Sequence, residues 1–134
     1  MQLSLFTDYG LRTLVRLASQ PERVFTTAEI ANEFTVSRHH LLKIVQTLAS
    51  AGVISTSRGV GGGLQLTRPA AEIRIGDIVR LLEGEGELVE CEGKSGPCLL
   101  LPHCALKGFL KQAQSALYAS LQTVTLADCL PPTL

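Results

Sequence analysis

"TTAEIANEFTVSRHHLLKIV", Thr26 to Val45, is the stretch that decides how this chain folds. Its opening "TTAE" is a capping box, in which the Thr26 hydroxyl accepts from the Glu29 amide and the Glu29 carboxylate reaches back to the Thr26 amide. A short helix follows to about Glu33. Phe34 to Val36 reads as a turn, and Ser37 caps a second helix with Leu41, Ile44, Val45 and Leu48 on its inner face and Gly52 as its stop. Two capped helices across so short a turn outline a helix-turn-helix.

The flanking sequence extends that outline in both directions. Upstream, residues 4 to 19 read as a helix with Leu11, Leu14, Val15 and Ala18 on one face, ended by "SQPER". Downstream, "VISTSRGVGGGLQLTRP" gives β-prone runs at Val53 to Ser57 and Leu64 to Thr67 around a glycine-rich turn, as expected of a wing. Ile75, Ile78, Val79 and Leu82 mark a further helix closing at Gly84, and a cysteine-bearing loop occupies residues 85–104. Leu106, Leu110, Ala113, Leu117 and Leu121 then form an apolar stripe on a long helix, with no evident partner in so small a domain, which points to a seam between two copies. The expected fold is mainly α with a small β-hairpin wing: a winged helix-turn-helix plus a long dimerisation helix in a single domain. Residues 1–84 hold the winged unit and the helix after it, and 105–134 the dimerisation helix and C-terminal segment.

Composition sets limits on function. A chain of 134 residues, 46% apolar and 18% charged, suits one folded domain. It has no apolar run of spanning length, and "MQLSLFTDYG" lacks the basic and long apolar regions of a signal peptide. The expectation is a cytoplasmic protein without a membrane partner, in which clustered thiols serve metal or redox chemistry rather than disulfides. Net charge is zero but uneven. Through residue 70, Arg12, Arg16, Arg23, Arg38, Lys43, Arg58 and Arg68 outnumber Asp8, Glu22, Glu29 and Glu33, whereas Glu83 to Glu92 holds five glutamates and no base. A basic front suits a polyanion.

The second helix of a helix-turn-helix enters the major groove with its N-terminal residues against the bases. Here those residues are Ser37, Arg38, His39 and His40, with Lys43 a turn further along. Arg38 can fork onto guanine, and the others can reach bases or phosphates. Free amides near Thr27 and Ser37 suit phosphate oxygens. On the wing, Arg58 can enter a minor groove while Gly59 lets the backbone approach closely. A solvated helix face and a plain flexible turn would use the same residue types, but their order, after a capped helix and across a wing, favours DNA. A two-fold dimer presents two such units to a palindromic operator in double-stranded DNA.

"ECEGKSGPCLLLPHC", residues 90–104, carries Cys91, Cys98 and Cys104 as C-x6-C-x5-C. Neither spacing matches the tight pairs of structural zinc sites. Widely spaced thiolates suit an iron–sulfur cluster, with zinc completed by His103, or metal-free thiol sensing, as alternatives. Cys129, in an apolar run, reads as a packing residue. With no nucleotide loop, no second cluster motif and no nucleophile–base pair, an enzyme is not expected.

Together "FTDYGLR", the R-G-x-x-G-G wing, "IRIGDIVR", the three cysteines and "TLAD" resemble, over essentially the whole chain, the bacterial winged-helix iron–sulfur regulators, the family that includes NsrR and IscR. The resemblance implies a DNA-binding transcriptional repressor with an iron–sulfur cofactor. Members similar to IscR place a histidine three residues after the third cysteine, where this sequence has Lys107. Those similar to NsrR use an aspartate from the first helix of the other subunit, and here Asp8 stands in "TDYG". The closer resemblance, to NsrR, implies a 4Fe–4S cluster on Cys91, Cys98, Cys104 and the partner subunit's Asp8, with nitric oxide as the signal. A 2Fe–2S, IscR-like regulator is the alternative. Arg12, one turn beyond Asp8, is spaced to orient that carboxylate, though the same spacing serves an ordinary helix ion pair.

Overall fold

Both helices of the helix-turn-helix are capped as their sequence requires in the computed structural model, which describes residues 1–93, 96–101 and 103–132. Helix α2 (Thr27–Glu33) starts with the reciprocal capping box. The Glu29 amide donates to Thr26 Oγ1 at 3.1 Å, and the Thr26 amide donates to Glu29 Oε2 at 2.8 Å. Those bonds, the Thr26 amide foremost, hold the Glu29 carboxyl below its ordinary pKa. Helix α3 (Arg38–Ser50) starts on Ser37, whose hydroxyl accepts from the His40 amide at 3.1 Å. The chain reverses between them with Thr35 at φ 54°, left-handed backbone that a β-branched residue seldom adopts. The Val36 amide donates to the Ala31 carbonyl at 2.9 Å and closes the turn.

The core lies where α1 (Leu5–Ser19) packs on both α3 and α4 (Ile75–Glu83). Leu41, Ile44 and Leu48 of α3 are completely buried, with Leu14 of α1 and Ile78 of α4. The inner face of α1 is turned relative to the sequence expectation. Thr7, Gly10, Thr13, Leu14, Leu17 and Ala18 are buried, while Leu11 and Val15 are half-buried and line a shallow apolar groove with Phe34 and Pro131. Thr13 can face inward because its hydroxyl donates to the Tyr9 carbonyl at 2.7 Å. Gly10 leaves room for Leu82 and Ile44, which a β-carbon there would meet.

The wing is an antiparallel pair, β1 (Ile54–Thr56) and β2 (Leu64–Leu66), in register Ile54↔Leu66 and Thr56↔Leu64. Phe25 extends it, donating to and accepting from Leu64 at 3.2 and 2.6 Å, so the wing is sewn to the segment before α2. In the cysteine loop the chain forms a two-residue ribbon, β3 (Glu92–Gly93) with β4 (Gly96–Pro97), where only a loop was expected.

Helix α5 (Ala105–Gln122) packs on α4, so its apolar stripe does have a partner within the chain. Leu110, Leu117 and Leu121 are half-buried, and the Arg80 guanidinium lies 4.8 Å from the Tyr118 ring centroid. No α5 residue is fully buried, and Leu106 and Phe109 stay exposed. At the opposite end, Ile75 donates to Val124 at 2.9 Å and Leu126 to Ile73 at 2.8 Å, stitching the end of α5 to the start of α4. There Gly76 meets Gln122: a β-carbon on residue 76 would sit 2.9 Å from the Gln122 amide nitrogen and 3.0 Å from its Cα. No helix among the described residues is long and apolar enough to cross a membrane.

Candidate nucleic-acid interface and cysteine loop

Ion pairing sorts the basic residues of the front half into two groups. Arg12 pairs with Asp8 (2.7 Å), Arg16 with Glu33 (2.7 Å) and Arg23 with Glu29 (2.8 Å). Hydrogen bonding to those acids raises the pKa of Arg12, through Asp8, and of Arg16, through Glu33. Arg38, Lys43, Arg58 and Arg68 have no ion pair among the described residues, and all four are exposed on α3, the wing or the segment just after it. Four cations without an ion pair thus lie on or beside the winged unit, although the chain as a whole is neutral.

On α3, Arg38, His39 and Lys43 point outward and are exposed. His40 does not share that face. Its half-buried ring stands 6.2 Å from Phe6 and 6.0 Å from Tyr9, centroid to centroid, against α1. The sequence grouped it with the contact residues, yet its position one residue on rotates it towards α1, where two aromatic rings receive it. The Ser37 hydroxyl is engaged at the cap but keeps its own proton to donate. Leu42 and Gln46, four and eight residues from Arg38, are also exposed on the outward face. Thr27, half-buried, begins α2.

At the wing tip the Ser57 amide donates to the Gly63 carbonyl at 2.9 Å, and the Gly63 amide donates to the Ser57 hydroxyl at 3.1 Å. Gly59 holds φ at 90°, and Arg58 beside it is exposed. Behind the wing, the Phe25 ring is flanked by the guanidiniums of Arg16 and Arg23, at 4.6 and 4.5 Å from its centroid. Since Glu33 and Glu29 of α2 hold those two arginines, the wing, α1 and α2 meet at one residue.

In the cysteine loop the Cys98 amide donates to the Cys91 carbonyl at 2.9 Å across the ribbon, bringing these two cysteines beside each other in backbone. Cys104 occupies the cap position of α5, an 18-residue helix, and its side chain makes no capping bond. All three thiols are free; Cys91 and Cys104 are half-buried and Cys98 is exposed. Among the described residues no three His, Cys, Asp or Glu side chains converge tightly enough to hold a metal ion. His103 is exposed, and Lys107 pairs with Glu87 at 3.5 Å. Asp8 lies on α1, with both oxygens on the Arg12 guanidinium at 2.7 and 3.0 Å. Cys129, expected to pack, is exposed on the last turn with its sulfur 3.5 Å from the Thr125 carbonyl. Partial burial, with Asp128 nearby, raises its thiol pKa.

A capped helix-turn-helix with Arg38 and Lys43 exposed on its second helix, and a wing with Arg58 at its tip, define a winged-helix regulator that binds DNA. Residues 3–132 match the model of the Rrf2 family, described as an iron-dependent transcriptional regulator. The chain belongs to that family. Among solved structures it is similar to CymR of Staphylococcus aureus (33% identity, TM-score 0.74, covering 94% of this chain and 95% of that one). It is also similar to CymR of B. subtilis, described as the global cysteine regulator (29%, 0.76, 96% and 95%), and to IscR of T. potens (25%, 0.76, 96% and 85%). The family description and that of B. subtilis CymR are both those of regulators.

Proposed function

We propose that this protein is a homodimeric transcriptional repressor whose hold on a palindromic operator depends on an iron–sulfur cluster bound by Cys91, Cys98, Cys104 and the partner subunit's Asp8. The observation that carries the reading is the donor set: two free cysteines side by side at the ribbon, and a third, also free, at the start of the helix that follows. Such soft, unpaired sulfurs fit an iron–sulfur cluster, and a carboxylate as fourth ligand would bind more weakly than thiolate. The cluster, once bound, supplies irons open to attack by nitric oxide. In this reading Arg12 holds the Asp8 carboxylate in position, and the exposed Leu106 and Phe109 on α5 contribute to the seam between subunits.

Helix α1 is the mechanical link. Asp8 faces outward on it, while its neighbour Tyr9, with Phe6, contacts His40 of α3. Holding or releasing Asp8 shifts α1, and α1 cannot shift without disturbing the seat of the reading helix. The two states need to differ by only about 1.4 kcal/mol to change DNA affinity tenfold. Arg38, His39 and Lys43, with Ser37 and the α2 start at Thr27, meet bases and phosphates in the major groove, and Arg58 and Gly59 approach the backbone or minor groove.

Anaerobic purification with iron and sulfide counting, followed by nitric oxide titration during operator binding, tests the proposal. About four irons per chain and progressive loss of binding are expected, whereas two irons would favour the IscR-like 2Fe–2S alternative. Asp8→Ala should give a labile or altered cluster and a blunted response. An Asp8→Ala protein with an unchanged cluster and unchanged sensitivity would show the wiring to be wrong.

A further inference from the structure

Leu42 is the apolar side chain in the middle of the outward face of α3. It is 44% exposed, whereas Leu41 and Leu48 on the same helix are completely buried. Its neighbours on the outward face are Arg38 one turn before, Gln46 one turn after, and His39 and Lys43 alongside, all exposed. Four polar or cationic groups around one leucine make a poor protein-docking patch, which needs continuous apolar surface. They suit a major groove, where most groups are donors and acceptors and the thymine 5-methyl is the one apolar feature of the base edges.

We infer that Leu42 reads a thymine methyl in each operator half-site, with Gln46 on the same face suited to the paired edge of an adenine. This rests on the reading of α3 as the groove-facing helix and adds which base it selects. A leucine offers no hydrogen bond, so its discrimination is entirely against loss of the methyl. Arg38 and Lys43 supply affinity on either side, and Leu42 supplies selectivity between them.

The test begins by selecting duplexes from a random-sequence pool with the cluster-loaded protein. The recovered site is then rebuilt with deoxyuridine replacing each thymine in turn. One thymine per half-site should show a loss of affinity of about three- to fivefold on conversion to uracil, the worth of one buried methyl. Leu42→Ala, changed at an exposed position and checked by its thermal midpoint, should bind thymine and uracil probes equally there. Arg38→Ala should bind more weakly but keep the thymine preference. Wild-type indifference to uracil at every position, or an undiminished preference in Leu42→Ala, overturns the assignment while leaving α3 as the reading helix. Recovery of no preferred sequence at all would overturn both.

Discussion

Replacing Gly76 with alanine tests whether α4 and α5 really touch as closely as the structure places them. The added carbon would lie 2.9 and 3.0 Å from backbone atoms of Gln122, well inside ordinary carbon contact of about 3.5–4.0 Å. Backbone cannot rotate away as a side-chain tip can, so the C-terminal end of α5 must move. Overpacking of this kind costs about 1–3 kcal/mol. Alanine in place of glycine within a helix returns about 0.5–1 kcal/mol. The balance is a net loss of about 0–2.5 kcal/mol, with its centre near 1 kcal/mol, or a thermal midpoint lowered by roughly 3–5 °C at that centre for a chain of this size. Thermal unfolding followed by circular dichroism at fixed protein concentration measures it. Gly86→Ala is the control, since a β-carbon there meets nothing within 4 Å. If Gly76→Ala melts above the wild type, as the return alone would make it, α4 and α5 are not in contact at this point.

Other outcomes follow from the same geometry. Glu83 accepts from the Thr7 hydroxyl at 2.5 Å and from Ser4 at 3.0–3.2 Å; burial opposes its charge, but these donors outweigh that and hold its pKa below the ordinary value. Its stabilisation is therefore complete above the unfolded pKa of about 4.3 and disappears as pH falls through the folded value. Glu83→Gln should melt below the wild type at pH 7 and converge with it in strong acid; a gap that persists there would contradict the assignment. Thr35→Gly relieves left-handed strain at φ 54° worth about 1–3 kcal/mol, less about 0.5–1 kcal/mol for the freer unfolded chain, so the thermal midpoint should rise by up to a few degrees. Arg58→Ala should weaken operator binding and reduce the slope of log affinity against log salt by about one, the mark of a lost phosphate contact; an unchanged slope removes Arg58 from the interface.

Local patterns were the legible part of this chain. The Thr26–Glu29 box, the Ser37 cap, the buried face of α3 and the hairpin each depend on residues only a few positions apart, and each formed where the sequence placed it. Contacts between distant segments left no periodic trace. Glu83 meets Ser4 and Thr7 across 79 and 76 residues, and Phe25 joins the wing through a single bridge. The face of α1 was misjudged because a hydroxyl satisfied within its own helix can be buried, as Thr13 shows, and a glycine can mark close packing, as Gly10 does. On α3, spacing gave the outward direction of Arg38, His39 and Lys43 but not that of His40, which turns towards α1, and gave no sign that Leu42 is exposed, because a leucine in a helix is ordinarily taken for core. The cysteines were found by their number and spacing, whereas their nearness at the ribbon depended on a strand pair too short to read.

The bonds joining residues 73–75 to 124–126 carry one more implication. They fasten α4 and α5 at the ends farthest from the cysteine loop, so the loop is an insert between two already secured helices, not a strut between them. A protease cut within it should leave two fragments that remain associated under native conditions. Nor is its length tightly fixed, because doubling a flexible connection costs only about 0.6 kcal/mol. The thiol-bearing segment is thus free to diverge in size and sequence among descendants of this fold while the DNA-reading body stays intact.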